Sequence, residues 1–319
     1  MKILITGGLG VNGAWVVRRL LERNQEVVVI DNRDDRGLLA DVGRDLRVEV
    51  ADVTDNDRIR AIVDGFGPDC VIHMAAIIGA DDDPLAAIRI NVDGTAVVCD
   101  AAANAGVARL IYTSSRAVYG DITGRHAHPE YLAIDEDFPR RPTSLYGITK
   151  NAGEDVVEWF SRRQGMESAS LRFATIFGPG KVRHGGFAVY SSLIDRPRAG
   201  QAVHIVQGGD QRDDMIYVVD AADAIVEAAL APAGVLTSGA YNVGTGRTHS
   251  LHDLRAAVLK HIPDASISIG AGLDPMGMAV ASYGALSSSR ADADFGWRPK
   301  YTLATAVGHH LEAIDRLGL

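Results

Sequence analysis

The first thirteen residues restrict the architecture more than any later stretch. Ile3-Leu4-Ile5 is an aliphatic triplet that reads as a short strand, and it runs straight into Thr6-Gly7-Gly8-Leu9-Gly10-Val11-Asn12-Gly13. Gly7, Gly10 and Gly13 are spaced three apart at a strand-to-helix turn. Without side chains, the backbone can turn tightly there and approach a pyrophosphate, which then sits on the amino terminus of the following helix. Ala14 to Arg23 supplies that helix, with Val16, Val17, Leu20 and Leu21 on one face.

The same rhythm continues. Val27 to Ile30 reads as a second buried strand ending at Asp31, and Leu46 to Val50 as a third ending at Asp52. Val71-Ile72-His73 is a fourth, opening into Met74-Ala75-Ala76, and Ile88 to Ala105 is helical. Arg109 to Thr113 is a fifth strand ending at Ser114-Ser115, Tyr146 to Arg163 a long helix, and Ser168 to Phe173 a sixth strand. Strands alternating with helices predict an α/β protein with a Rossmann-type, doubly wound parallel sheet. Such a sheet takes its ligands at the carboxyl ends of its strands. After Gly178-Pro179-Gly180 the rhythm loosens, with a short strand at Val203 to Val206 and helices at Ala221 to Ala229 and Ser250 to Lys260. The division expected is a dinucleotide-binding domain over residues 1–175 and a smaller C-terminal α/β substrate lobe over residues 176–319, some of whose segments cross back to the sheet. No internal repeat or low-complexity tract is visible.

Composition narrows the partners. A formal net charge of -9, without lysine clusters, makes nucleic acid or an anionic membrane a poor partner. No apolar run approaches the ~18 residues needed to span a bilayer, and the amino terminus reaches Gly7 after a short strand, which is not a signal peptide. A cytoplasmic protein acting on a small molecule is expected. Cys70 and Cys99 fall inside strand and helix patterns and read as inert buried thiols, not as a disulfide or a metal site.

The chemistry concentrates on Tyr146-Gly147-Ile148-Thr149-Lys150. A phenol titrates near pH ~10, too high for an efficient base at neutral pH. A lysine one helical turn away faces the same side, and its ammonium favours the phenolate. Tyr146 can then exchange a proton with a substrate hydroxyl while hydride passes between the same carbon and nicotinamide, with Ser115 holding the oxygen. Asp31 stands where a carboxylate accepts hydrogen bonds from the adenosine ribose and repels a 2'-phosphate, which favours NAD over NADP. Arg33 reads as a solvated surface residue. Asp52 could reach the adenine amino group or cap the next helix.

These residues resemble the extended short-chain dehydrogenase/reductases, the NAD-dependent epimerase/dehydratase family. The resemblance runs nearly the whole length, through His73-Met74-Ala75-Ala76, Asn91-Val92-Asp93-Gly94-Thr95, Ser114 to Gly120, Leu171-Arg172-Phe173, Tyr217 to Asp220, Tyr241 to Gly244 and Gly296-Trp297-Arg298-Pro299. It implies Ser115, Tyr146 and Lys150 as the catalytic trio. It implies a cofactor channel of Gly7, Gly10, Val11, Asn12, Gly13, Asp31, Asn32, Asp52, Val53, Ala75, Tyr146, Lys150 and Phe173. Asn91 would be a supporting polar residue or plain helix packing. A homodimer through helices 88–105 and 146–163 is also implied.

The chain departs from the family pattern in its substrate region. Dehydratases of the family carry Asp-Glu just after the serine-position residue, whereas Arg116-Ala117 stands here, which disfavours dehydration. Nucleotide-sugar epimerases hold the diphosphate with an arginine where this chain has Asp213, and Arg212 would substitute if the loop shifted. The region 271–276, where a second such arginine usually stands, has none. The usual substrate asparagine is Thr175, and Phe177 replaces a tyrosine. Ser115, Arg116, Thr175 and Arg212 are the candidate substrate contacts. Arg183 and His184, with Arg116, could bind a carboxylate or be solvated loop charges. The expectation is an NAD-dependent oxidoreductase acting on a secondary alcohol or ketone of a sugar-like or hydroxy-acid substrate without a nucleotide handle. Its rivals are a nucleotide-sugar 4-epimerase with tightly bound NAD and a non-catalytic dinucleotide sensor.

Overall fold

The computed structural model describes residues 1–42, 45–181, 188–277 and 280–319. In chain order the elements are β1 (Lys2–Thr6), α1 (Val11–Glu22), β2 (Glu26–Asp31), β3 (Arg47–Val50), α2 (Asn56–Phe66), β4 (Cys70–His73), α3 (Pro84–Ile88), α4 (Gly94–Asn104), β5 (Arg109–Ser115), α5 (Leu145–Gln164), β6 (Glu167–Phe173) and β7 (Thr175–Phe177). They continue with α6 (Val189–Arg198), β8 (Val203–Ile205), β9 (Arg212–Asp213), β10 (Met215–Tyr217), α7 (Val218–Leu230), β11 (Ala240–Val243), β12 (His249–Ser250), α8 (Leu251–His261), β13 (Ile267–Ile269), α9 (Ser289–Phe295) and α10 (Leu303–Leu317).

Seven strands form one sheet in the order β11-β6-β5-β4-β1-β2-β3, and every pairing in it is parallel. The order reverses between β1 and β4, which opens the crevice where such sheets bind ligands. The central strands β1, β2 and β4 are buried on both faces, which is why they read as near-continuous aliphatic runs, whereas edge strand β3 is partly exposed. Ile3, Ile5, Val27, Val29, Ile72 and Ile111 pack on the α1 and α7 side. Leu4, Val28, Ile30, Val71 and Leu110 point the other way, to α2 and α4. Cys70 and Cys99 are buried and free, and burial pushes both thiols up to about 12. No helix among the described residues is long and apolar enough to cross a membrane.

The helix expected over 88–105 is in two pieces, joined by a wide π turn over Arg89–Asp93. The extra residue in such a turn re-aims side chains inward. Here it presents buried Asn91, which accepts from Ile77 N–H at 2.8 Å and donates to Ile77 C=O at 2.9 Å and Thr149 Oγ1 at 3.0 Å. Asn91 therefore pins the loop after β4 to the helix that carries Tyr146 and Lys150.

Below the site, a buried ionic network ties β5, β6 and α5 together. Arg172 on β6 forks onto Glu154 on α5, with Nη2–Oε2 at 2.7 Å, and Ser114 on β5 donates to the same carboxylate at 2.5 Å. Removing one member of such a pair strands a buried charge. Glu154→Ala is expected to lower unfolding stability by about 3 kcal/mol, measured as the urea midpoint. An unchanged midpoint would show that Arg172 finds its compensation elsewhere.

Candidate active site

Everything chemical lies along one cavity of about 1040 Å³ at the carboxyl ends of the strands. Its floor begins at the glycine turn. Gly7 has φ +71°, and a Cβ there would stand 2.8 Å from the backbone nitrogen of Ala75. Only glycine lets the β1 exit and the β4 exit pass so closely. Gly10 is the N-cap of α1 and offers no side chain to the first N–H groups of that helix, and Val11, Asn12 and Gly13 of this turn line the cavity. Asn12 Oδ1 is buried there without a hydrogen-bond partner among the described residues.

Asp31 ends β2 and does two jobs. Its carboxylate accepts from Leu9 N–H at 3.0 Å and Asn32 N–H at 2.9 Å, fixing the turn. Asp31 also lines the cavity. Burial raises its pKa, against the pull of those two N–H groups. Asp52 is bound locally by Thr54, through N–H at 2.9 Å and the hydroxyl at 2.8 Å. The cap of α2 is Asp55, not Asp52, because Asp55 is the residue whose side chain accepts from Arg58 N–H. An uncapped helix amino terminus, a carboxylate at the end of the second strand and an orphaned buried amide oxygen together suit a dinucleotide, with the pyrophosphate on α1 and the ribose hydroxyls at Asp31.

The proton-handling groups meet across the far wall. α5 starts at Leu145, with Ser144 as N-cap accepting from Gly147 N–H at 3.1 Å. A Cβ at Gly147 would stand 2.4 Å from the Ala117 carbonyl oxygen, so glycine is what lets Tyr146 reach the Ser115 turn. Burial pushes the Tyr146 phenol up to about 12, and the neighbouring Ser115 hydroxyl opposes this. Lys150 Nζ donates to Thr113 C=O at 2.7 Å. It lies 4.8 Å from the Tyr112 ring centroid and 5.9 Å from that of Tyr146. Burial pulls Lys150 down to about 7, opposed by Glu154. Ser115 is thus the hydroxyl beside the phenol, and Lys150 stands behind the same ring.

The substrate end rests on a buried cluster. Arg116 forks onto Asp213 through both terminal nitrogens. Thr175 Oγ1 donates to the same carboxylate at 2.7 Å and Tyr190 OH at 3.0 Å. Asp213 is 1% exposed.

All the residues expected along the cofactor channel line this cavity, as do Ser115, Arg116 and Thr175. Two of the candidate substrate contacts are engaged in internal pairs. Arg212 turns away: its guanidinium donates to Thr248 C=O at 2.7 Å and pairs with Asp253 at 3.5 Å, because β9 and β12 are paired antiparallel at that point. Arg116 is held by Asp213, so its charge is not free for a substrate carboxylate. Arg183 and His184 lie outside the described residues. Lys181, Asp81, Asp82, Asp121 and Ile77 also line the cavity and carried no sequence signal, since none belongs to a motif with an assignable chemistry.

A parallel sheet with its crevice at the strand-order switch, an uncapped glycine turn and a Tyr-x-x-x-Lys helix beside a serine define a short-chain dehydrogenase/reductase type of protein. The sequence profile of the NAD dependent epimerase/dehydratase family matches residues 3–244, and the chain belongs to that family. It is an NAD-dependent enzyme with similarity to both epimerases and dehydrogenases. It is 29% identical to the dTDP-L-rhamnose 4-epimerase of Burkholderia thailandensis, over 96% of this chain and 93% of the relative. It superposes with a TM-score of 0.80 on the UDP-glucose 4-epimerase of Thermus thermophilus complexed with NAD, at 27% identity over 99% of both chains. It superposes with a TM-score of 0.82 on the L-threonine dehydrogenase of Clostridium difficile, at 27% identity over 99% of this chain and 98% of the other.

Proposed function

We propose that this enzyme oxidises a secondary alcohol, or reduces the matching ketone, on a small sugar-like or hydroxy-acid substrate that carries no nucleotide. The observation that carries this reading is the Arg116–Asp213 pair. At the place where a diphosphate would need a free arginine, the guanidinium is consumed by an internal carboxylate that also takes Thr175 and Tyr190. Among the described residues lining the cavity, the carboxylates are Asp31, Asp52, Asp81, Asp82 and Asp121, and the cations are Arg116, Lys150 and Lys181. The similarity to an L-threonine dehydrogenase, whose name specifies an amino-acid substrate, supports the same direction.

In this reading Ser115 orients the substrate oxygen and Tyr146 exchanges its proton. Lys150 would hold the nicotinamide ribose and bias the phenol electrostatically, and Asp31 would hold the adenosine ribose. NAD, when bound, supplies the hydride acceptor or donor. The family's acid for dehydration has no counterpart at Ala117, so the chemistry stays at one carbon–oxygen pair. The segment after residue 176 forms most of the substrate side.

Tyr146→Phe is expected to lower kcat by at least about 100-fold, with NAD affinity unchanged by titration. In wild-type protein, oxidation needs the phenolate. Because burial holds the phenol up to about 12, kcat/KM for oxidation should rise with pH through the neutral and alkaline range. Reduction needs the phenol and should not gain from alkali. Full turnover by the phenylalanine variant would remove Tyr146 from the chemistry.

The substrate class is read by screening free sugars, sugar acids and hydroxy acids with NAD at the NADH absorbance. Accumulating NADH with one of them is expected, together with no calorimetric binding of a uridine or thymidine diphosphate sugar. Tight binding of such a sugar, without net absorbance change on turnover, would instead establish the 4-epimerase reading.

We further propose a homodimer through α3, α4 and α5. On α3 and α5, Leu85 is 80% exposed, Ile148 49% and Trp159 55%, an apolar display that a free surface rarely keeps. Sedimentation velocity should give about twice the chain mass, and Ile148→Asp with Trp159→Arg should halve it. A wild-type monomer would contradict the proposal.

A further inference from the structure

Among the described residues, Lys181 is a buried cation with nothing to pair with. It is 5% exposed, it lines the cavity, and no described residue accepts a hydrogen bond from its ammonium or lies near enough to form an ion pair. The other deeply buried cations differ in this respect. Arg18, Arg109, Arg116 and Arg172 each face a carboxylate, and Lys150 donates to a carbonyl. Burial alone, with no opposing charge, pulls the Lys181 ammonium down to about 7. A buried charge without compensation is costly and is retained where a ligand supplies the partner.

Its place in the fold identifies that ligand. Lys181 follows Gly180, whose Cβ position lies 3.5 Å from Val11 Cγ1 and 3.1 Å from Leu38 Cδ2. Val11 is the first residue of α1, so the Gly180 backbone that leads into Lys181 packs beside that helix start, and Lys181 lines the same cavity. A backbone hydrogen bond from Lys181 N–H to Gly178 C=O, at 3.3 Å, closes the turn that carries it. One further feature of the same corner awaits an anionic group: the uncapped start of α1.

We propose that Lys181 is a cofactor-binding residue whose ammonium pairs with the pyrophosphate of the bound dinucleotide. It closes over the phosphates from the side opposite the glycine turn. The glycine turn contributes only backbone dipoles, so Lys181 provides the full positive charge that the pyrophosphate meets in this corner. The proposal rests on the NAD dependence of the family and on no choice of substrate. It adds a charged contact, contributed from beyond β7, to a phosphate site otherwise built from the first strand-turn-helix unit.

The test is isothermal titration calorimetry of the full-length protein with NAD, ADP-ribose and adenosine. A charge-assisted hydrogen bond corresponds to roughly a 10- to 100-fold change in affinity. Lys181→Met should therefore lose about tenfold or more for NAD and ADP-ribose, both of which carry the pyrophosphate. Adenosine, followed by competition, should bind as to wild type. Lys181→Arg should recover most of the loss. Should the methionine variant fail to fold, Lys181→Gln makes the same comparison. Affinities for NAD and ADP-ribose within twofold of wild type would overturn the proposal. An equal loss for adenosine, or an effect confined to the KM of an anionic substrate, would overturn it as well. Wild-type protein that bound no NAD would overturn it together with the cofactor assignment.

Discussion

A hydrogen bond of 2.6 Å between Thr6 Oγ1 and His73 Nδ1 joins the ends of β1 and β4 at the strand-order switch. His73 Nε2 meets Thr95 Oγ1 at 2.9 Å, and that hydroxyl donates to Asn91 C=O at 2.7 Å. Thr95 spends its proton on the carbonyl, so Nε2 must carry the hydrogen, Nδ1 must accept, and Thr6 must donate. Burial pulls His73 down to about 3, which keeps the ring neutral and this tautomer fixed. Thr6 Oγ1 then accepts from Met74 N–H at 3.2 Å and Ala75 N–H at 3.3 Å. This small clamp turns the β4 exit toward Gly7 and so shapes the crevice. Asn91 carries the same chain of contacts to α5 through Thr149, which links the cofactor floor to the Tyr146 wall.

The Arg116–Asp213 pair changes how the substrate end is understood. Taken from sequence alone, Asp213 in place of an arginine suggests a carboxylate repelling a diphosphate. In the folded chain that carboxylate is satisfied four times over by Arg116, Thr175, Tyr190 and the Asp214 N–H, and it faces inward. Its effect is to withdraw a cation from the cavity, which is a different physical reason for the same preference. The pair spans 97 positions of sequence, and Arg116 lies beside Ser115. The turn that carries Ser115 is thereby anchored to β9.

Much of the sheet is legible in the sequence because its central strands are buried on both faces, so β1, β2 and β4 are short aliphatic runs closed by a polar residue. The site at the strand ends is legible for a related reason: Asp31, Ser115 and the glycine turn sit where one element type gives way to the other. What is hidden depends on distance or on direction. Nothing local announces that Arg116 will meet Asp213. Arg212 and Asp213 are neighbours on a strand, and successive side chains on a strand point to opposite sides, so one enters the buried cluster while the other reaches Thr248. The π turn at Asn91 is likewise invisible, since its residues keep an ordinary helical pattern. Asp52 and Asp55 are both plausible caps, and only backbone geometry distinguishes them. Lys181 is a lone lysine after Gly-Pro-Gly, with no pattern to mark it as buried.

Cations divide this molecule into structural and functional parts. Arg109 pairs with Glu167 and also donates to the Ala229 and Ala231 carbonyls at the end of α7, at 2.9 and 2.5 Å. Arg172 pairs with Glu154 and Tyr119. These groups are fully compensated and hold elements together. Lys150 and Lys181 are buried as deeply, yet burial pulls both down to about 7. Glu154 is the carboxylate that opposes the pull at Lys150, but most of its capacity is taken by Arg172, Ser114 and Arg140. A sequence selected for stability alone would pair or replace such lysines. Their retention in the cavity leaves positive potential where phosphate and a phenolate would develop or bring negative charge, and the partially satisfied side chains thereby mark the working surface.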